Sequence, residues 1–332
     1  MLDCNFKIDI LMATYNGEKY IGKQIDSILR QTYDNWNLLI RDDGSTDATT
    51  SIISEYKRRN PEKIVIIEDD EGNLGVTGNF KRLLLSSQSD YVMFCDQDDI
   101  WDSSKVYQEI NMMKEKEKEF GLIPILVFSD LKGIDGNDKI LFESFRKKNG
   151  FSSDSCRLSR MLYENVATGC TMLINCPLKK LLYNIPDAVR VHDHWAILIC
   201  LLNEGQAVYL NQATVLYRQH EGNVIGDNST SALTKICKIL SFRKYREGKE
   251  RTIAYYRKIE EQINLLYQQN FSPEERTEKE SIKLCFTLAN IWKQTCWKRI
   301  TILKRNNCFQ NSFYTNMLML CYYFRWGKQA NK

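Results

Sequence analysis

The chain has 332 residues, which is enough for one large domain or two ordinary ones and excludes a small stapled scaffold. Its residues are 43% hydrophobic and 27% charged, with 16 Gly and 5 Pro, so a disordered or collagen-like chain is also excluded. The eleven cysteines contain no C-x-x-C pair, so we expect free thiols rather than a zinc ribbon or a disulfide framework.

The net charge of +4 conceals an uneven distribution along the chain. Residues 230–332 carry 20 Lys and Arg against 8 Asp and Glu, whereas residues 1–229 carry 26 against 34. This change in charge, together with a change in pattern, predicts two domains, 1–228 and 229–332. The first residues lack the segments of a secretory signal, and no apolar run approaches the ~18 residues that cross a bilayer. We therefore expect a cytoplasmic protein.

Short apolar runs alternate with amphipathic segments through the first hundred residues. The runs that predict strands are 8–13, 36–40, 63–67 and 91–95. Residues 19–31 place apolar side chains at helical spacing, and further helices are predicted around Ile52 and after the loop at 72–79. This order is typical of an α/β fold with a Rossmann-like, mostly parallel sheet and helices on both faces.

The alternation becomes less regular beyond Trp101. Helices are predicted for 105–120 and 194–203, and a polar connector is predicted for 145–155. The further predicted strands are 123–129, 166–175 and 207–217. From about residue 229 the pattern is helical, basic and aromatic, which predicts a helical C-terminal extension.

Polar residues follow each of the first four predicted strands. They lie at 13–18, 42–43, 72–79 and 96–99. Ligands of an open parallel sheet bind beyond the carboxyl ends of its strands, so these segments predict one shared binding edge. Neither G-x-G-x-x-G nor a P-loop pattern occurs. Asp96 and Asp98 project to the same side of an extended segment, which predicts a Mg²⁺ or Mn²⁺ ion that bridges to a substrate diphosphate.

Six motifs then carry a resemblance to a known family. They are Thr14-Tyr15-Asn16-Gly17, Asp42-Asp43-Gly44-Ser45, Asp96-Gln97-Asp98, Thr168-Gly169-Cys170, His192-Asp193-His194-Trp195 and Tyr217-Arg218-Gln219-His220. In this order and spacing, the sequence resembles the family 2 glycosyltransferases, which have the GT-A fold. The segments 94–101 and 217–220 resemble the bacterial rhamnosyltransferase branch, which uses dTDP-L-rhamnose.

The resemblance implies a role for each matching residue. Asp193 is the implied catalytic base, which removes the proton of the acceptor hydroxyl as the anomeric carbon inverts. The implied metal ligands are Asp98, His220 and Asp96. The implied nucleotide-binding residues are Thr14, Tyr15, Asn16, Glu18, Asp42, Asp43, Asn79 and Asp96. The implied acceptor or diphosphate contacts are Thr168, Gly169, Trp195 and Arg218.

The resemblance further implies a metal-dependent inverting hexosyltransferase that adds a sugar to a bacterial surface polysaccharide or its lipid-linked precursor. L-rhamnose is the favoured sugar, with UDP-galactose or UDP-N-acetylglucosamine as alternative donors. A non-catalytic nucleotide- or polysaccharide-binding subunit is the alternative of another class. The basic and aromatic residues of 230–332 favour peripheral membrane contact, with internal packing or a homodimer interface as the alternative. No nucleic-acid motif accompanies the charge, so no nucleic-acid partner is expected.

Overall fold

The computed structural model describes residues 6–151, 156–189, 191–220, 242–269, 279–310 and 313–326. It contains two compact units. The first comprises Met1–Asn149 and Val166–His220, and the second comprises Gly150–Asn165 and Glu221–Lys332. The predicted boundary at residue 229 lies outside the described residues, and no sequence pattern predicts that the segment ending at Asn165 belongs with the C-terminal helices. Among the described helices, none combines the length and the apolar character needed to cross a membrane.

The described part of the first unit forms one mixed sheet of nine strands. In chain order these are β1 (Ile8–Thr14), β2 (Trp36–Asp42), β3 (Ile64–Ile66), β4 (Tyr91–Asp96), β5 (Ile100–Trp101), β6 (Ile125–Ile134), β7 (Ile140–Phe142), β8 (Met172–Ile174) and β9 (Gln206–Arg218). Their spatial order is β3-β2-β1-β4-β8-β6-β9-β5, and β7 pairs with β6. Strands β1 to β4 run parallel, as does the β6–β9 pair, whereas β5, β7 and β8 are antiparallel to their partners.

Helices cover the sheet of the first unit. They are α1 (Ile21–Leu29), α2 (Thr49–Arg59), α3 (Gly75–Ser86), α4 (Lys105–Phe120), α5 (Phe145–Asn149), α7 (Cys176–Leu181) and α8 (His192–Leu202). The sequence explains α1, because Ile21, Ile25 and Ile28 recur at helical spacing and all three are fully buried. They pack on the apolar side chains of β1 and β2, which form the core beneath the binding edge. The predicted α/β sheet with flanking helices is confirmed.

The structure corrects three details of the sequence prediction. Most of the strand predicted at 166–175 is absent, because Gly169–Thr171 is a short 3₁₀ helix and only Met172–Ile174 pairs in the sheet. The backbone N–H of Gly169 bonds to a side chain, Asp193, instead of a neighbouring strand. The polar connector contains α5, and β5 and β7 are too short, at two and three residues, to show a period in the sequence.

The described part of the second unit is helical, as predicted. Its helices are α6 (Leu158–Met161), α9 (Phe242–Gln269), α10 (Glu280–Ala289), α11 (Cys296–Arg305) and α12 (Phe313–Cys321). In α9, buried Tyr256, Ile259 and Ile263 follow helical spacing. Tyr256 stacks on Tyr322 with ring centroids 5.1 Å apart, so aromatic rings form much of this core.

Candidate active site

The carboxyl ends of β1, β2 and β4 meet at one edge of the sheet, as the sequence predicts. Thr14 of β1 lies opposite Asp42 of β2, and Ala13 lies opposite Asp96 of β4. The Thr14 hydroxyl donates a hydrogen bond to Asp42 Oδ1 at 2.9 Å. The polar loops that follow these strands are therefore neighbours in space.

Asp98 and His220 form the outer part of this edge. Asp98 follows β4 and His220 follows β9, yet His220 Nε2 lies 2.7 Å from Asp98 Oδ2. Their side chains are partly accessible, 16% for Asp98 and 26% for His220. The His220 ring also lies against Tyr20, with ring centroids 5.2 Å apart. Two predicted metal ligands from distant parts of the chain thus lie together at the surface of the edge.

Asp96 lies between this pair and a third carboxylate, Asp193. Burial, with repulsion from the Asp98 and Asp193 carboxylates, raises the pKa of Asp96 to about 7. Asp96 is therefore close enough to both carboxylates to be repelled by each of them when all are ionised. A cation bound at this edge would relieve that repulsion.

Asp193 is held at the first turn of α8 by backbone groups. Gly169 N–H donates to Asp193 Oδ2 at 2.9 Å, and His194 N–H donates to Asp193 Oδ1. A Cβ atom on Gly169 would lie 2.9 Å from His192 Nε2 and 3.3 Å from Asp193 Cβ. Glycine is therefore required for this close approach, which fixes the orientation of the Asp193 carboxylate.

Two sets of side chains at this edge could hold an ion. Asp96, Asp98 and His220 offer oxygen and imidazole ligands, which suit Mn²⁺ and, with water, Mg²⁺. Ligand atoms of Asp96, Asp99 and Cys170 also lie within 4.8 Å of one another. However, Asp99 and Cys170 are buried, and burial raises the pKa of both groups well above their usual values. The accessible set fits better, because the ion must also reach a substrate phosphate.

Asp43 organises the loop that precedes α3. Its Oδ1 accepts hydrogen bonds from Leu74 N–H at 2.8 Å and from Arg41 Nη1 at 2.7 Å, and its Oδ2 accepts from Gly75 N–H at 2.8 Å. Arg41 also binds both oxygens of Asp69 at 2.9 Å, and this pairing lowers the pKa of Asp69. A carboxylate has about four acceptor sites, so Asp43 keeps capacity for a further donor.

Gln97 joins the first loop of the edge to the acidic loop. Its side-chain Oε1 accepts from Tyr15 N–H at 2.9 Å, and its Nε2 donates to Tyr15 C=O at 2.9 Å. A Cβ atom on Gly17 would lie 2.3 Å from Gln97 Oε1, so the neighbouring glycine makes room for the amide. Tyr15 itself is 49% exposed. Gln97 thus fixes the backbone that presents an accessible aromatic ring at the edge.

Comparisons with known proteins identify the family of the chain. The family described as Glycosyl transferase family 2 matches residues 9–163. A dTDP-rhamnosyl transferase of Shigella flexneri, RfbG, is 31% identical over 228 residues, which cover 65% of this chain and 74% of RfbG. The chain belongs to glycosyltransferase family 2.

This glycosyltransferase is also similar in sequence to a second bacterial enzyme and in fold to a solved structure. Over 116 residues it is 32% identical to an Escherichia coli enzyme, the UDP-Glc:alpha-D-GlcNAc-diphosphoundecaprenol beta-1,3-glucosyltransferase WfgD, covering 35% of this chain and 44% of WfgD. A crystal structure of Staphylococcus aureus TarS residues 1–349 with UDP-GlcNAc has a TM-score of 0.54 at 17% identity. That alignment covers 98% of this chain and 91% of the TarS chain. The likeness shows the shared GT-A fold, and the family makes the chain a hexosyltransferase.

The structure buries several side chains for which a ligand contact is predicted. Trp195 is 2% exposed and belongs to the core, so it does not line an open acceptor site. Arg218 is fully buried, and its side chain donates to Asp98 C=O at 2.8 Å and pairs with Asp138 at 2.5 Å, so its guanidinium is bonded within the protein. Thr14 and Asn79 are 1% and 2% exposed and bond to Asp42 and to the Arg41 C=O, so their predicted nucleotide contacts stay predictions.

Asn16, Glu18 and Asp42 fix the first two loops of the glycosyltransferase. Asn16 Oδ1 accepts from Thr46 N–H at 2.8 Å, and Glu18 Oε2 accepts from Ala48 N–H at 2.9 Å. Asp42 Oδ2 accepts from Ser45 N–H at 2.7 Å. These bonds hold the loops against each other. Thr168 is partly accessible beside Gly169, so its predicted acceptor contact stays a prediction.

Sequence reasoning missed Arg41, His192 and the role of Gln97. The signal for Arg41 in the sequence is a positive charge that directly follows the apolar residues 38–40 of β2 and precedes Asp42 and Asp43. His192 packs on Phe80 with centroids 3.8 Å apart, and burial lowers its pKa to about 3, so it is a neutral ring beneath Asp193. The two hydrogen bonds of Gln97 depend on a contact across 82 residues, for which the sequence carries no signal.

Proposed function

We propose that this glycosyltransferase catalyses metal-dependent, inverting transfer of L-rhamnose from dTDP-L-rhamnose. The observation that carries the proposal is the convergence of Asp98 with His220, 2.7 Å apart, beside the Asp96 and Asp193 carboxylates. One edge thus offers both ligands for a diphosphate-bound ion and a carboxylate base. The 31% identity to a dTDP-rhamnosyl transferase supports the choice of donor.

The first two loops form the nucleotide side of the site. Tyr15, which is 49% exposed, offers its ring to the nucleotide, and Gln97 holds the backbone of Tyr15 in place. Arg41 and two backbone N–H groups at the start of α3 already donate to Asp43. Its remaining acceptor site takes a hydrogen bond from the pyrimidine. Asp96 faces the ribose or the ion.

Asp98 and His220 would hold a divalent cation, with Asp96 beside them. Mg²⁺ or Mn²⁺ bound there would supply positive charge to stabilise the departing diphosphate. Arg218 supports this arrangement, because its buried guanidinium donates to Asp98 C=O and its backbone N–H donates to Asp99 Oδ1 at 3.0 Å. The segments that carry Asp98 and His220 are therefore linked through one buried residue.

Asp193 acts as the base. Gly169 N–H orients its carboxylate, which accepts the proton of the acceptor hydroxyl. The hydroxyl oxygen forms a bond to the anomeric carbon as the bond from that carbon to the diphosphate oxygen breaks. The sugar configuration inverts, and the nucleoside diphosphate leaves with the bonding electron pair.

The proposed acceptor is a bacterial surface polysaccharide or its lipid-linked precursor, reached from the cytoplasmic side of the membrane. The similar enzyme WfgD is named for a diphosphoundecaprenol-linked sugar, which supports a lipid-linked acceptor. Peripheral contact of residues 230–332 with the membrane would bring such an acceptor within reach. A homodimer interface in the same residues remains the alternative role.

A donor panel tests the proposal. Purified chain with Mn²⁺ is incubated separately with dTDP-L-rhamnose, UDP-galactose and UDP-N-acetylglucosamine and a lipid-linked acceptor, and the products are identified by mass spectrometry. We expect a deoxyhexose addition from dTDP-L-rhamnose alone, and none from the Asp193→Asn control. If product forms only from a UDP-sugar, that sugar replaces dTDP-L-rhamnose as the proposed donor. Donor binding without any product would favour the non-catalytic binding subunit.

A further inference from the structure

Helix α11 of the second unit has two different faces. Arg299 and Leu303 are buried, and Arg299 stacks on Trp292 and donates to Tyr323 C=O at 2.9 Å. The opposite face exposes Trp297, whose side chain is 72% accessible. An indole of this size is costly to leave in water, so its exposure calls for a partner.

A second exposed aromatic ring accompanies Trp297. Phe324 is 45% exposed, and its ring meets the Trp297 ring edge-on with centroids 5.4 Å apart. The two rings come from separate parts of the second unit and form one apolar projection. The Trp292–Tyr323 stack nearby is buried, so the unit has places for aromatic rings in its core that Trp297 does not use.

Positive charge surrounds the aromatic pair. Lys298, Lys304 and Arg305 are exposed on α11, and none of them forms an ion pair with another described residue. The sequence from residue 281 to 332 contains nine Lys and Arg and no Asp or Glu. The helix that carries Trp297 and the chain that follows it therefore contribute basic residues and no acidic ones to this part of the second unit.

We propose that Trp297, Phe324, Lys298, Lys304 and Arg305, here called the α11 face, bind the surface of an anionic phospholipid bilayer. Aromatic rings settle at the boundary between headgroups and acyl chains, while Lys and Arg pair with anionic headgroups. A lipid surface accommodates both features of the α11 face at once. This inference deepens the membrane contact of the proposed function, but its test uses neither donor nor acceptor.

Vesicle sedimentation of the full chain tests the proposal. Vesicles of phosphatidylcholine alone are compared with vesicles that also contain phosphatidylglycerol, at low and high salt. We expect binding to the anionic vesicles only, weakened by salt, with a blue shift of tryptophan emission that Trp297→Phe reduces. Equal binding to both vesicle types, or a chain that stays in the supernatant, would overturn the proposal.

Variants on the α11 face separate the contribution of its basic residues to vesicle binding from that of its aromatic rings. Lys298→Glu with Lys304→Glu should lower vesicle partitioning more than roughly tenfold, because each basic residue near the surface contributes roughly fivefold. Trp297→Ala with Phe324→Ala should lower vesicle partitioning several-fold at both salt concentrations. All four side chains are exposed, so unchanged thermal midpoints would show that folding is intact.

Matched controls lie in the first unit. Tyr107→Ala removes an aromatic ring that is 51% exposed, and Lys180→Glu reverses an exposed charge. Both controls should bind vesicles like the unaltered chain. If the α11 variants also bind normally, or if they instead abolish self-association in analytical ultracentrifugation or retention of RNA, the α11 face is not a lipid-binding surface.

Discussion

The two units surround a buried carboxyl group with different neighbours. In the first unit, Asp96, Asp98 and Asp193 lie close enough that their repulsion and burial raise the pKa of Asp96 to about 7. In the second unit, Glu260 accepts hydrogen bonds from Trp292 Nε1 at 2.6 Å and from Tyr322 OH at 3.0 Å. The carboxyl group of Asp96 therefore has two further carboxylates near it, whereas that of Glu260 is hydrogen-bonded to neighbouring aromatic side chains.

This difference indicates where ligands are needed. A cluster of like charges destabilises a fold unless a cation or substrate balances it, which is typical of functional sites. A single carboxyl group bonded to Trp and Tyr within an aromatic core needs no ligand. The proposed reaction chemistry accordingly belongs to the first unit, and the proposed lipid-binding surface lies outside the aromatic core of the second unit.

The largest expected effect comes from removing a ligand of the proposed metal site. Asp98→Ala should abolish transfer and weaken binding of the nucleotide sugar in Mn²⁺, because one carboxylate fewer faces the cation. EDTA should abolish the activity of the unaltered chain, and added Mn²⁺ should restore it. Asp90→Ala, at an exposed position before β4, is the matched control and should remain active. Full activity in EDTA would contradict metal dependence.

A smaller effect is expected at Gln97. Gln97→Ala removes both hydrogen bonds to the Tyr15 backbone, so the donor KM should rise roughly tenfold, as two bonds of about 1 kcal/mol each allow. The kcat should change less, because Gln97 is a positioning residue on the nucleotide side. Gln97→Glu keeps one acceptor and should be intermediate. Unchanged donor KM in Gln97→Ala would show that Tyr15 holds its place without the amide.

The smallest effect concerns the stability of the second unit. Burial raises the pKa of Glu260 from 4.5 to about 7. A raised folded-state pKa gives stability that is fully present below the unfolded pKa and is lost as pH rises through about 7. In denaturant unfolding, the free energy of unfolding of the unaltered chain should fall by about 2 kcal/mol between pH 5 and 8. In Glu260→Gln this fall should be absent. The exposed neighbour Glu261→Gln is the control, and identical pH profiles for both variants would contradict the buried carboxyl.

Much of the first unit could be predicted because its elements depend on local pattern. The apolar runs of β1, β2 and β4 and the Ile spacing of α1 are visible in the sequence and are buried as predicted. The short strands β5 and β7 depend on pairing with β9 and β6, which no local pattern records. The loop ends were likewise predicted to meet, because parallel strands place their carboxyl ends together.

The sequence could not predict which individual side chains near the site are buried and which are accessible. Arg218, which is part of the Tyr217–His220 motif, is fully buried, because its guanidinium bonds to Asp98 C=O and to Asp138. Trp195, two residues after Asp193, faces the opposite side of α8 from the site and enters the core. Whether a polar residue supports a site or contacts its ligand depends on packing between distant segments.

The most direct test of the central claim is Asp193→Asn. Donor affinity by calorimetry and the transfer rate at saturating donor are measured on the same preparations, with an unchanged thermal midpoint as the control for folding. The variant keeps the size of the side chain but loses its basicity, so turnover should fall at least ~10²-fold while donor affinity stays nearly constant. Equal losses of donor affinity and turnover would place Asp193 in the nucleotide pocket, and undiminished turnover would exclude it as the base.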